Sequence, residues 1–337
     1  MSLVLQSDHD LSRANTLGLP CLAECYAAPT SLLELHEALD LAQRQDWPLT
    51  VLGGGSNLIL PERLGGLVVQ PAMRHWWLEE QGESVLVHAE AAMGWHELVM
   101  ALAHLGLWGT ENLALIPGHC GAAPIQNIGA YGVELGDVLE AVHLIHLDDG
   151  REAVLSSADC AFGYRDSVFK GALDGRVVIT RLVLRLSRTP HPRLGYGDLA
   201  CRLEAEPSAL AVAQAICAIR HEKLPDPALL GNAGSFFKNP LVSGELARRL
   251  MAEHSAMPHF PQPDGRVKLP AGWLIDRCGL KGWRKGHFGM HDRQALVLVH
   301  FGGGSADELL AFAGEVAARV RERFGVILER EPRMADD

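Results

Sequence analysis

The chain has 337 residues and a formal net charge of −11. That length accommodates two or three domains with substantial cores, and the charge excludes a broad binding surface for a nucleic-acid backbone. No run of about eighteen apolar residues spans a membrane, no charged-then-apolar leader opens the chain, and seven scattered cysteines read as buried reduced thiols of a cytoplasmic protein.

Residues 1–20 read as mostly irregular. Ser31 and Glu34 have the spacing of a capping box, and Leu32, Leu35, Leu39 and Ala42 repeat behind them at helical intervals. Leu49–Leu52 is a short apolar strand that feeds Gly53-Gly54-Gly55-Ser56-Asn57, and Gly66–Val69 is a second strand of the same small α/β unit. A strand entering a glycine-rich turn is a common way to cradle a pyrophosphate, although this turn is neither GxGxxG nor a P-loop. An apolar strand at Val85–Ala89 and a helix near Trp95–His104, stopped by Gly106, come next.

The stretch from Ile116 to Gly132 is the most informative in the chain. Pro117 and Pro124 break a helix there, and the glycines weaken a strand. Ile116, Ile125, Ile128 and Tyr131 are too apolar for a flexible linker. The expectation is an ordered loop whose backbone amides can approach a ligand closely. A buried crossover without a ligand fits the composition equally well.

Val138–Leu147 and Arg151–Leu155 flank Asp148-Asp149-Gly150, a hairpin signal, and Val177–Leu186 is another β-rich run. Beyond Glu206-Pro207 the pattern turns helical: Ser208–His221, 243–254 and 271–278, then a strand at Ala295–Val299 and a long helix over 305–324. Ser305 and Glu308 form a capping box, so Phe301-Gly-Gly-Gly-Ser305 reads as a helix start, and Gly325 is the stop. A strand begins at Val326, and the end is expected to fray over Ala335–Asp337.

Few side chains announce chemistry by spacing alone. Ser235, in Gly231-Asn-Ala-Gly-Ser-Phe-Phe-Lys-Asn-Pro240, follows two glycines and precedes two phenylalanines that would keep its surroundings dry. It lacks the GxSxG elbow of an acyl-transfer serine. Arg165, in Tyr164-Arg-Asp-Ser167, reads as a surface arginine paired with Asp166. Glu329 and Glu331 read as a solvated tail. Tyr196, Lys223, Asn239 and Gln294 are individually ordinary. The histidines form neither HExxH nor a tight His/Asp cluster, so no metal site is expected.

Taken together, these runs resemble the UDP-N-acetylenolpyruvoylglucosamine reductase (MurB) family over nearly the whole chain. The likeness is carried in order by Asn15-Thr16, Gly53–Asn57, the 116–132 loop, Tyr164–Ser167, Tyr196–Leu199, Lys223–Pro227, Gly231–Pro240, Ala271–Asp276, Arg293–Leu296 and Leu328–Glu331. The resemblance implies an α+β fold. A two-subdomain FAD-binding region like that of vanillyl-alcohol-oxidase-type flavoproteins would occupy 1–205, divided at about 70 and 71. A smaller α+β substrate-binding domain would occupy 206–325, with a strand and tail at 326–337.

It further implies an NADPH-dependent flavoenzyme of peptidoglycan precursor synthesis, converting UDP-N-acetylglucosamine enolpyruvate to UDP-N-acetylmuramate as a monomer. The flavin residues carried over are Gly53, Gly54, Gly55, Ser56, Asn57, Ile116, Pro117, Gly118, Gln126, Asn127, Ile128 and Gly129. Arg165 would stabilise the aci-carboxylate formed on hydride addition, Glu331 would assist it, and Ser235 would donate the proton. Tyr196 and Lys223 would meet the diphosphate, and Asn239 and Gln294 other polar groups of the substrate. Tyr196 also resembles the tyrosine lid of one subclass.

The chain departs from the family at His119-Cys120, where a small hydroxyl and an aliphatic residue are usual. It departs again at Pro332, which cannot donate a ladder hydrogen bond and predicts an edge strand or an early end. A flavin oxidase of the same superfamily is disfavoured because Ser56-Asn57 stands where many such oxidases carry a histidine. A flavin-free nucleotide-sugar binder is disfavoured by the intact 116–132 loop.

Overall fold

The computed structural model describes residues 3–335. Contacts gather the chain into two compact units. Met1–His9, Ala23–Ser56 and Leu64–Glu222 form the first, and Asp10–Leu22, Asn57–Arg63 and Lys223–Asp337 form the second. Both mix helices with mainly antiparallel sheets, an α+β organisation.

In the first unit a four-stranded sheet runs in the order Leu5–Asp10, Leu22–Ala27, Arg63–Val69, Leu49–Val51. The last two are parallel, with Leu49 opposite Leu67. Helix Leu32–Arg44 buries Leu35, Ala38, Leu39 and Ala42 in a cluster with Leu67 and Val69. Its expected capping box is half built. Ser31 Oγ accepts the Glu34 N–H at 3.2 Å, but the Glu34 carboxylate turns back to accept from the Thr30 N–H and hydroxyl. Strand Leu5–Asp10 was not expected. Its sequence, LQSDHD, lacks a buried face because the strand is exposed almost throughout at the sheet edge.

A five-stranded antiparallel sheet follows, ordered Glu152–Ser156, Leu139–His146, Val177–Ser187, Ser84–Glu90, Trp76–Gln81. The hairpin forms where its turn residues predict it, with Gly150 at φ 68°. Helices Trp95–His104 and Ala209–Lys223 pack on this sheet through Leu98, Leu102, Val212, Ala213 and Ile216. Ile116, Ile125, Ile128 and Tyr131 lie against the same core, so the glycine-rich loop is anchored by its apolar residues.

The second unit holds a sheet ordered Gly231–Ser235, Val297–His300, Phe288–Met290, Arg284–Lys285, with helices Gly244–Glu253, Ala271–Arg277 and Ala306–Phe324. The long helix has both halves of its capping box and a left-handed Gly325 at its end. The N-terminal segment is stitched in by Asn232 N–H to Thr16 O and by His300 Nδ1 to Leu17 O. Asn15 ties its own turn to the carbonyls of Leu11 and Leu19.

The strand expected from Val326 is delayed. A single bridge joins Arg330 to Phe237, Pro332 interrupts, and only Arg333–Met334 pairs, parallel to Leu58–Ile59. Ala335 N–H still donates to Ile59 O, so fraying does not begin at Ala335, and the two residues after it lie outside the described residues.

All seven cysteines are free thiols. Cys21, Cys25, Cys120 and Cys160 are buried as expected, Cys217 and Cys278 are half-buried, and Cys201 is exposed. Among the described residues, no helix is long and apolar enough to cross a membrane.

Candidate active site

Within the first unit, the two glycine loops press together. A Cβ added to Gly54 would lie 2.8 Å from Gly118 Cα, and one on Gly118 would lie 2.6 Å from Ser56 Oγ. Ser56 Oγ donates to Pro117 O at 3.1 Å, and Gln70 Nε2 donates to Gly53 O at 2.7 Å. Only residues without a side chain allow this approach, and what remains is a rim of backbone suited to a ligand with phosphate groups. Gly54 and Ser56 from one loop therefore meet Pro117 and Gly118 from the other.

The far end of the long loop does something else. Asn127 is buried at φ 45°. Its amide donates to Glu134 Oε2 and Gly163 O and accepts from Gly136 N–H, so its side chain is spent holding the loop rather than facing a ligand. Ile128 is buried in the core, and Gln126 is half-buried.

Gly129 O receives a 2.7 Å hydrogen bond from Arg165 Nη2. A Cβ on Gly129 would lie 3.0 Å from Arg165 Nη1, so glycine is what lets the guanidinium settle there. Arg165 sits at φ 55° in a turn closed by Gly163 and Asp166, and Ser167 Oγ docks that turn by donating to Ile125 O at 2.6 Å. Such strained backbone at a residue expected to be catalytic is typical of a position fixed by its surroundings.

The structure adds a residue that the sequence reading missed. Arg220 lies on the inner side of helix Ala209–Lys223, close enough to Arg165 and Tyr131 to interact electrostatically. Its Nε is buried without a hydrogen-bond partner among the described residues. Burial pulls its pKa below the ordinary arginine value, and the neighbouring Arg165 adds to this. Arg220 stands four residues after Ile216 and seven after Ala213, both buried, so helical spacing was the signal that could have found it. Tyr131 stacks edge-on against Tyr196 with ring centroids 5.6 Å apart. Two arginines, with two tyrosines beside them, thus occupy one region of the first unit. Tyr196 itself is largely exposed.

In the second unit, Ser235 ends strand Gly231–Ser235 after a bulge at Ala233-Gly234, where Gly234 takes φ 68°. Asn232 pins the bulge by accepting from Gly234 N–H and donating to Pro225 O and Leu230 O. Phe236 and Phe237 are fully buried, so Ser235 stands at the edge of a dry core. Glu331 N–H donates to Phe236 O at 2.9 Å, which brings the buried Glu331 beside the Ser235 segment. The expected solvated tail is therefore not what Glu331 belongs to. Asn57 Nδ2 donates to Glu331 O at 3.3 Å and Asn57 O accepts from Arg333 N–H, so Asn57 belongs with this group.

Asn239 Oδ1 caps Ala271 N–H at 2.9 Å, and a Cβ on Gly272 would lie 3.2 Å from Gln294 Oε1. Asn239 and Gln294 thus flank the first turn of one helix. Lys223 is exposed at the end of its helix.

A family model described as UDP-N-acetylenolpyruvoylglucosamine reductase, C-terminal domain, matches residues 226–335, and one described as FAD binding domain matches residues 23–156. The chain is 48% identical to the UDP-N-acetylenolpyruvoylglucosamine reductase of Chromobacterium violaceum, covering 98% of this chain and 99% of that one. It is 48% identical to the Pseudomonas aeruginosa enzyme of the same name, over 99% of this chain and all of that one. Among solved structures, the reductase from Thermus caldophilus superposes with a TM-score of 0.68 at 26% identity, covering 98% of each chain.

Proposed function

The chain belongs to the UDP-N-acetylenolpyruvoylglucosamine reductase family, and from this premise we propose how its residues share the work. The protein is an FAD-dependent oxidoreductase that reduces UDP-N-acetylglucosamine enolpyruvate to UDP-N-acetylmuramate, a step of peptidoglycan precursor synthesis. The first unit binds FAD and the second contributes substrate-binding and proton-donating residues. The closeness of Gly54 to Gly118 supports the cofactor assignment, with Gly53 to Ser56 and Ile116 to Gly118 holding FAD through main-chain groups. FAD held there would supply the redox chemistry, hydride transfer between NADPH and the enolpyruvyl double bond.

The rest falls to the chain's own side chains. Hydride addition pushes charge into the substrate carboxylate, and Arg165, fixed by Gly129 O, stabilises that charge where it develops. Arg220 reinforces the positive field in the same region and offers its unpartnered Nε–H to an anionic oxygen of the substrate. Ser235 Oγ delivers the proton to the carbon next to the one that received hydride. A serine is a poor acid in water, so it serves only as the nearest donor held against the carbon.

Glu331 assists through its place beside that segment, and the bond from its N–H to Phe236 O is the observation that carries this assignment. Tyr196 and Lys223 meet the diphosphate. Asn239 spends its carbonyl on Ala271 and keeps its NH₂ for the substrate, alongside Gln294. The enzyme acts as a cytoplasmic monomer, for which sedimentation should report a single 36.5 kDa species.

Ser235→Ala tests the chemistry. Anaerobic bleaching of the flavin by NADPH should survive while reoxidation by the sugar nucleotide falls by about 10²-fold or more, the usual effect of losing a positioned proton donor. Turnover within a few-fold of normal would remove Ser235 from the mechanism.

A further inference from the structure

We propose that His119 is a direct ligand for an anionic group of FAD: its imidazole, lodged where the two glycine loops meet, hydrogen-bonds a phosphate oxygen and sets cofactor affinity. The proposal rests on the FAD reading of those loops and adds a side chain to what was otherwise a main-chain cradle. It concerns a position where the loop departs from the family pattern.

Three observations carry it. The first is place. A Cβ on Gly54 would lie 3.3 Å from His119 Cδ2 and 2.8 Å from Gly118 Cα, so the ring lies directly against the loop contact. The second is fixity. Trp95 N–H donates to Gly118 O at 3.0 Å, Cys120 N–H donates to Met93 O at 2.8 Å, and His119 itself bridges to Gly94, so the backbone on both sides of the ring is pinned. The third is availability. His119 is half-buried, yet neither ring nitrogen has a hydrogen-bond partner among the described residues. Elsewhere His96 accepts from Leu115 N–H, and His300 bonds both Leu17 O and Gly304 N–H. Both nitrogens of this fixed ring are thus open to a ligand seated on the loops.

Charge gives the proposal a signature. The charged group facing His119 is Arg74, whose guanidinium pairs with Glu97 on the adjoining helix at 2.9 Å. The Gly53–Ser56 loop brings no titratable group. Burial first, and Arg74 second, hold the free imidazole below its ordinary pKa, so it is neutral at pH 7. A phosphate oxygen beside it would favour the protonated form and raise that pKa. FAD binding then takes up a proton between the two values, and affinity rises as pH falls. Each unit between free and bound pKa makes the complex about tenfold tighter at low pH.

The test is calorimetric titration of flavin-stripped full-length protein with FAD from pH 5.5 to 8.5, in two buffers of different ionisation enthalpy. Wild type should bind about tenfold tighter at the acid end and take up a fraction of a proton near the middle. His119→Gln, which can still donate but cannot titrate, should bind with no pH slope and no uptake. His119→Ala should also be flat, and weaker than the glutamine variant throughout. If either variant keeps the wild-type slope and uptake, or wild type has neither, His119 is only filling space and the proposal fails. If wild type takes up no FAD at all, the reading of the loops fails before it.

Discussion

Gly54→Ala should loosen FAD without touching any catalytic side chain. The new methyl carbon would sit 2.8 Å from Gly118 Cα and 3.2 Å from Gly118 C, both backbone atoms that no rotamer change can move aside. Carbon atoms in comfortable contact stand about 3.5–4.0 Å apart, so the loops must part by roughly 0.7–1.2 Å. Overpacking of this kind typically costs about 1–3 kcal/mol. The free protein can relieve it by opening the loops, whereas the bound form must restore the cradle, so most of the cost falls on binding. That corresponds to a rise in FAD Kd of between about 5-fold and about 150-fold.

Quenching of FAD fluorescence by the flavin-stripped protein would measure it, with a thermal melt of the same sample to show that the fold persists. Gly195→Ala is the control, since a Cβ there meets nothing within 4 Å. A Gly54→Ala protein that binds FAD within twofold of wild type would refute the idea that this loop contact is the cofactor cradle.

Other expectations follow from buried charge and local conformation. Arg220→Met removes a cation whose Nε has no hydrogen-bond partner among the described residues; the ligand-free protein should resist urea better, while KM for the sugar nucleotide rises about 10-fold or more, the worth of a charged hydrogen bond. An unchanged KM with lower stability would make Arg220 structural. His96, His119, His143 and His291 all have pKa values held down chiefly by burial. Unfolded, they titrate near the ordinary value of about 6.5, so below that pH the unfolded chain binds more protons and stability falls as pH drops. The urea midpoint should therefore be lower at pH 5 than at pH 8, and an equal or higher midpoint would contradict this assignment. Gly314 is exposed inside helix Ala306–Phe324 with nothing near its Cβ position. Alanine there should add about 0.5–1 kcal/mol, read as a higher urea midpoint.

Much of the fold was legible because the rules that made it are local. A capping box and a terminal glycine bound the long helix, and Asp148-Asp149-Gly150 turns the hairpin, because these residues act on neighbours within one turn. The same logic misled where a neighbour offered something better. Glu34 had the spacing to complete a box with Ser31, but Thr30 supplies two donors to its carboxylate. Strand Leu5–Asp10 escaped notice because an exposed edge strand carries no apolar alternation to read.

The sequence by itself determined the family, the two glycine loops and the residue types available for chemistry. Tertiary structure decided what those residues are for. Asn127 spends its side chain bracing the loop; Glu331 looked like tail and is buried beside Phe236; Arg220, which the sequence reading did not single out, lies near Arg165. For Glu331 and Arg220 the deciding partner is far away in the chain, and the brace at Asn127 reaches Gly163 as well as the nearby Glu134. A polar group's role depends on whether it is left in water, matched, or buried without a match, and only the folded chain fixes which.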